Sequence, residues 1–327
     1  MALRGAPVTK ILVAATSSLA ALLGVTLALA TVQANRGADE SIRRALADTR
    51  RGVQTLLAGR TATLAGMSDV SAQVPQFRER LLKSDERSAV LDQVAEYRRL
   101  LGAAWVLVTN EHGILVARTD YPEEVDVDLS RGALVAGALS GESSSGAWLD
   151  DRSHQLFVAV GVPLRASAAA TPQGALLAAY AIDDTLAQQI KQATNADVVL
   201  FALDTLDHPY VVGSTLPREQ VGPALAADTA ALRRFAADSG AEELSAVLDR
   251  EHLIGLASPI RSAGGDAFGG FVVFRSRERE LAAFAGLRRT LAIAFALGLG
   301  LAVASVSRSL RTRDTPGPPS SRRVADR

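Results

Sequence analysis

The segment ILVARTDYPEEVDVDLSRGALVAGALSGE, from Ile114 to Glu142, gathers charge and aromatic groups where a strand gives way to a loop. Side chains alternate along an extended strand, so Ile114, Val116, Arg118 and Asp120 are expected on one face. The two apolar residues seat the strand and carry Arg118 and Asp120 to the sheet's rim. There a guanidinium is placed to grip a carboxylate bidentately. Tyr121 follows directly. Trp148 and Asp150 share a face of the later strand GAWLD, and Trp105 opens the strand WVLVTN. Arg118, Asp120, Tyr121, Trp105, Trp148 and Asp150 are thus the expected ligand-binding set, a charged rim over an aromatic wall suited to a small anionic molecule. The competing arrangement is a wet surface on which Arg118 pairs with Asp120 or a loop acid, worth about 0–1 kcal/mol.

Other chemistry is poorly supported. Glu123, Glu124, Asp126 and Asp128 lack the spacing and turn glycine of an EF-hand, so a solvated loop is expected there instead of a calcium site. His112, His154, His208 and His252 stand apart in sequence with no paired metal-ligand spacing, so no metal is expected. In GESSSG, Gly141 and Gly146 are one residue too far apart for the nucleophile elbow Gly-x-Ser-x-Gly. The chain has no cysteine, which excludes disulfides and thiolate catalysis. Basic and acidic residues balance at 35 each, giving no electrostatic reason to bind nucleic acid. The expectation is a binding protein without catalytic residues or cofactor, not an enzyme.

These residues need a scaffold. The apolar spacing of DESIRRALADTRRGVQTLLAGRTATLAGM predicts a helix over Asp39–Met67, with a second helical stretch from Pro75 to Gly102. WVLVTN and ILVARTD flank the turn EHG, a hairpin signal. A helix at RGALVAGALSG follows, then strands at GAWLD, HQLFVAVGVPLR and ALLAAYAID. After a linking helix, DTLAQQIKQATN, the order returns: DVVLFALD, YVVGSTL, a helical stretch from Pro217 to Asp238, then ELSAVLD, HLIGLASPIRS and FVVFRS. Matching elements start at Trp105 and Asp197, Ile114 and Tyr210, His154 and His252, Ala175 and Phe271, a near-constant separation. Two copies of one antiparallel α+β unit are expected.

Two uncharged runs flank this region, Ile11–Ala34 and Thr290–Ser307. As helices they approach or reach the length that crosses about 30 Å of hydrocarbon. Val32 and Ala34 also fit a signal-peptidase site, though the apolar run is longer than the roughly 7–15 residues of a signal core. Arg4 and Lys10 precede the first run, and Arg308, Arg311 and Arg313 follow the second, which places both ends in the cytoplasm. The expected organisation is a cytoplasmic N-terminus (1–10), a transmembrane helix (11–34), stalk and packing helices (35–102), a membrane-distal unit (103–183), a membrane-proximal unit (184–287), a second transmembrane helix (288–307) and a disordered cytoplasmic tail (308–327).

From Asp39 to Arg289 the chain resembles a double Cache domain, the tandem PAS-like sensing module of bacterial membrane receptors. The resemblance is carried by ILVARTDYPEEVDVDLSRGALVAGALSG and AIDDTLAQQIKQATNADVVLFALD. It implies two PAS-like antiparallel-sheet units on a long N-terminal stalk helix, flanked by two transmembrane helices. It further implies a periplasmic homodimer in the bacterial inner membrane that binds a small molecule, mostly in the distal unit, and moves its membrane helices. Amino-acid-binding members carry a tyrosine, arginine and tryptophan cluster, and Tyr97, Arg98 and Trp105 in EYRRLLGAAW do not have that spacing. Members also continue into an output module, whereas RTRDTPGPPSSRRVADR is too polar and proline-rich to fold. The function expected is a membrane-anchored sensor without its own output domain, acting on a separate cytoplasmic signalling protein. The alternatives are a periplasmic scaffold binding a protein partner, or a truncated sensor kinase, chemoreceptor or cyclase.

Overall fold

The computed structural model describes residues 6–75, 87–167, 169–204, 208–227, 242–248 and 251–278, with isolated positions and short runs elsewhere. A single helix, α1, runs from Ala6 to Gln73. It is longer than the stalk helix expected from spacing, because no proline interrupts it before Pro75. The residue before a proline is pushed out of the helical region, and Val74 closes the last turn by donating to Ser71 O at 3.2 Å. α2 spans Arg87–Leu101. The expected FRERLL helix and the C-terminal half of the Pro217–Asp238 stretch lie outside the described residues.

The backbone of α1 covers Ile11–Ala34, but the surroundings of most side chains there, and much of Thr290–Ser307, also lie outside the described residues. Among the described residues no helix is long and apolar enough to cross a membrane. The rest of the fold lies in one compact unit, Ile42–Arg277.

The first sheet holds β1 (Trp105–Asn110), β2 (Leu115–Arg118), β3 (Ser144–Asp150), β4 (Gln155–Leu164) and β5 (Gly174–Ala181), with α3 (Ala133–Leu139) between β2 and β3. α4 (Asp184–Thr194) links it to the second sheet. It is fixed at its start by the Asp183 side chain, which accepts from Leu186 N–H, and at its end by Asn195 in the left-handed conformation. The second sheet holds β6 (Asp197–Leu203), β7 (Pro209–Ser214), β8 (Glu242–Leu248), β9 (Glu251–Arg261) and β10 (Ala267–Ser276), with α5 (Arg218–Ala227) between β7 and β8. The strand orders are β2-β1-β5-β4-β3 and β7-β6-β10-β9-β8, the same path taken twice and antiparallel throughout. The duplication expected from sequence is therefore present strand for strand.

One apolar layer serves both sheets. α1 buries Ile42, Leu46, Val53, Leu64 and Ala72, a stripe at helical spacing, and α2 adds Val90 and Val94. Against them lie Val106, Val160 and Leu176 of the first sheet and Val198, Leu200 and Phe271 of the second. Polar ties fix α1 to both. Tyr180 of β5 puts its hydroxyl 3.1 Å from Thr61 Oγ1, and Gln54 Nε2 donates to Ser258 Oγ of β9 at 2.8 Å. Each sheet's other face has its own cover. Trp105, Leu107, Phe157 and Leu177 lie beneath α3, and Val199, Phe201 and Phe274 lie beneath α5.

The units also meet at a seam. The β9–β10 turn is tied by Ser262 N–H to Asp266 O at 2.7 Å, and Gly265 turns the chain with φ +99°. Its tip rests on Gly146 of β3, where a Cβ would stand 2.1 Å from the Ala263 nitrogen. Ala263 packs into the first sheet's outer core. Gly146→Ala should therefore cost about 1–3 kcal/mol through forced displacement. Gly59→Ala, on an open side of α1 with nothing within 4 Å, should instead stabilise the helix by about 0.5–1 kcal/mol. Urea unfolding followed by circular dichroism reads both, and equal effects would mean the seam is not packed.

Candidate functional site

β2 pairs with β1 in a register that slips between Val108 and Thr109: Thr109 faces Leu115, and Val108 faces Ala117. Val116 is the extra residue of a bulge, which corrects the simple alternation expected for this strand. Val116 packs toward the α1 side, and Leu115 joins Arg118 on the outer face, where Arg118 stands opposite Leu107. One further residue stays beside β1. Thr119 N–H donates to Val106 O, and Val106 N–H donates to Thr119 Oγ1, each at 3.0 Å. The chain then turns at Tyr121–Pro122–Glu123–Glu124, with Glu124 N–H donating to Tyr121 O at 3.0 Å. Proline suits the second position of such a turn, and the turn sends Glu124 back to Arg118.

Arg118 is buried, its side chain 9% exposed. Its Nε donates to Asp120 Oδ1 at 2.9 Å and its Nη2 to Asp120 Oδ2 at 2.6 Å, while Nη1 donates to Glu124 Oε2 at 2.6 Å. Glu124 Oε1 accepts from Arg152 Nη2 at 2.7 Å. The Tyr121 ring carries both cations, with Arg118 4.6 Å and Arg152 5.1 Å from its centroid. Tyr121 OH donates to Asp150 Oδ2 at 2.6 Å, and the same oxygen accepts from the Ser153 N–H and hydroxyl. β2 and β3 are opposite edges of the sheet. Four strand spacings separate them, about 19 Å, so Arg118–Glu124 forms a strap across the full width of one end.

The strap's charges set its titration. Burial opposes the charge on Arg118, but Asp120 and Glu124 outweigh it and raise its pKa further above the usual arginine value. Burial pushes Asp150 up, yet the bonds from Ser153 and Tyr121, with Arg118 nearby, hold it below the usual carboxylate range. The Tyr121 hydroxyl is raised, first by its bond to Asp150 and then by desolvation. Three carboxylates, Asp120, Glu124 and Asp150, face Arg118 and Arg152, and a third guanidinium, that of Arg87, donates to the strap at Pro122 O.

The structure thus joins Arg118, Asp120, Tyr121 and Asp150 in one network and places the tryptophans beside it. Trp105 is 1% exposed and meets Trp148 edge-on at 5.5 Å and Phe157 at 5.8 Å. Trp105 is therefore a core side chain, while Trp148 keeps part of its surface open. Tyr97 packs in the α1-side layer, on the opposite face of the sheet from Trp105. Two expectations change. The bidentate grip foreseen for a ligand is made with Asp120. Glu124, foreseen in a solvated loop, has a side chain only 17% exposed, whereas Glu123, Asp126 and Asp128 are exposed. Arg152 and Ser153 are not singled out by the sequence, and Glu124 enters there only as one of the loop acids. Pro122 signalled the turn that returns Glu124, but nothing local marks Arg152, whose partner comes from the far edge of the sheet. Among the described residues no group of three metal-ligating side chains forms.

The chain matches no family model and no curated protein. Its arrangement is similar to the ligand-binding domain of the Campylobacter jejuni chemoreceptor Tlp3 in complex with L-norvaline. That likeness has TM-score 0.47 and 13% identity, and covers 76% of this chain and 94% of that one. The ligand-binding domain of the Pseudomonas fluorescens chemoreceptor CtaA in complex with L-isoleucine gives TM-score 0.44 and 12% identity, over 76% and 96% of the two chains. The sensor domain of the V. cholerae histidine kinase DctB gives 0.42 and 12%, over 74% and 98%.

Arg118→Ala would leave Asp120 without its bidentate partner and Glu124 with Arg152 alone, at an expected cost of roughly 3 kcal/mol. Adding Glu124→Gln should recover part of that loss, read as coupling in a double-mutant cycle. The lowered pKa of Asp150 adds stability that is fully present above the unfolded carboxylate value, about 3.9. It is lost as pH falls through the lower folded value. Asp150→Asn should accordingly flatten the acid limb of stability against pH below about pH 4, and an unchanged limb would mean that Asp150 titrates freely.

Proposed function

We propose that the chain is a membrane-anchored extracytoplasmic sensor of small molecules, a homodimer in a bacterial inner membrane that passes binding on through its membrane helices. One observation carries this reading: the helix that both sheets pack against, buried from Ile42 to Ala72, is the same helix that bears the uncharged run Ile11–Ala34. That run suffices to cross about 30 Å of hydrocarbon, and Arg4 and Lys10 assign its start to the cytoplasm. The second run, Thr290–Ser307, returns the chain to the same side. α1 is, in this reading, the element through which a change at either sheet is passed on.

In this reading the strap is the distal unit's gate, with Arg118, Asp120, Tyr121 and Asp150 as its polar end and the partly open Trp148 beside it, held by buried Trp105. The ligand follows from the groups left open. Asp120 and Glu124 already hold three of the five Arg118 N–H groups and cancel its charge, so an anion gains little there. Asp150 Oδ2 takes all three of that residue's bonds, so Oδ1 stays open. With Arg87 donating to Pro122 O, the strap sets three guanidinium groups against three carboxylates, so recognition rests on Asp150 Oδ1 and not on a net charge. A protonated amine gains there, so the ligand class is a small amine-bearing molecule and not the purely anionic one expected from Arg118 alone.

The chain in lipid nanodiscs, melted against amines, amino acids, carboxylates and sugars, tests this. At about 100 times its dissociation constant a ligand adds about 2.7 kcal/mol. The shift should come from amine-bearing compounds and disappear in Asp150→Asn. The absence of cysteine gives single-cysteine chemistry no background. Gly59→Cys in α1 should form a disulfide between two copies at a rate that changes with ligand. A well-folded chain that no compound shifts would defeat the sensor reading. Binding with an unchanged cross-linking rate would defeat its signalling part.

A further inference from the structure

The seam between the two units holds a half-open cavity of about 460 Å³, apart from the strap, walled by α3, β3 and the β9–β10 turn. Such a volume falls within the roughly 300–1,000 Å³ of small-molecule sites, which favour junctions between units. Its apolar wall comes from Leu134 of α3, Trp148 of β3 and Phe268 of β10. The Trp148 indole is held edge-on against buried Trp105, so it offers a fixed flat surface. Small residues make the room: Gly132 and Ala133 on one side, Ala263 and Gly264 on the other.

The polar groups are few and balanced. Arg131 stands on the α3 side. Asp266 and Ser262 stand on the other. Ser262 Oγ already accepts from Gly264 N–H at 3.2 Å and Asp266 N–H at 3.1 Å, which leaves its own proton to donate. With one cation, one anion and otherwise uncharged walls, a charged guest would lose its hydration without net compensation. An uncharged molecule with a flat apolar body and one hydrogen-bonding end loses little and gains the indole face.

We propose that this seam cavity is a second binding site, distinct from the strap, for a small neutral aromatic molecule with one polar group. Both units contribute to it, and its occupant touches α3 and the β9–β10 turn together. The site stands whether or not the strap binds an amine.

The probe is 4-fluorobenzamide, observed by fluorine NMR on the full chain in nanodiscs, with empty nanodiscs subtracted. Saturable binding at one site per chain is expected. Ala133→Leu, on the exposed start of α3, and Gly264→Leu, at a tip where a Cβ meets nothing closer than 3.6 Å, each fill the cavity from a different unit. Each should weaken binding at least tenfold while leaving the melting curve in place, and Asp150→Asn should leave binding unchanged. Should one variant fail to fold, the other still decides. Binding that never saturates, or that survives the folded variant undiminished, would overturn the site.

Discussion

The apolar stripe on α1 from Ile42 to Ala72 has to leave water, and it is roughly 45 Å long at 1.5 Å per residue. A five-stranded sheet is only about 24 Å across at strand spacing. One unit cannot cover the stripe, and two placed in series can. The duplication therefore meets a demand set by the helix. Each sheet gives α1 one face and must find another cover for its second, which α3 and α5 supply. The Tyr180–Thr61 and Gln54–Ser258 contacts pin the register of helix against sheets, so that neither sheet slides along the stripe.

The same constraint decides where chemistry can sit. The α1-facing side of both sheets is mostly apolar packing, broken by a cavity of about 440 Å³ between Ala62 of α1, Tyr180 and Phe271, while the outer faces and their ends carry the polar network. At one end of the first sheet the strap solves a local difficulty, the burial of a guanidinium. Arg118 is tolerated out of water because Asp120 and Glu124 saturate it and the Tyr121 ring supports it from beside. The resulting network links both sheet edges through Tyr121–Asp150 and Glu124–Arg152.

Much of this could be read in the sequence. Hydrophobic alternation and the repeat offset fixed the two sheets and their order, since both depend on local pattern and each pattern occurs twice. Arg118, Asp120, Tyr121 and Asp150 were chosen for their types and do meet. Two kinds of feature escaped. The bulge at Val116 is a pairing decision made between strands, and no residue of β2 announces it. Arg152 joins Glu124 only because the strap crosses the sheet, a contact between sequence-distant loops. Trp105 shows the opposite error: an aromatic residue at a strand start had the right chemistry for a ligand wall, but its burial belongs to the core.

Gly146 bears on how such a chain can be taken apart. The β9–β10 turn finishes the outer surface of a sheet to which it does not belong, seating Ala263 among the first unit's own core residues. The first sheet is therefore incomplete as a separate piece. A chimera cut at the linking helix would carry an unfinished surface at β3, with Trp148 bare to solvent. The two halves repeat one topology but pack as one part, and the natural places to graft this region onto another protein lie outside Ile42–Arg277.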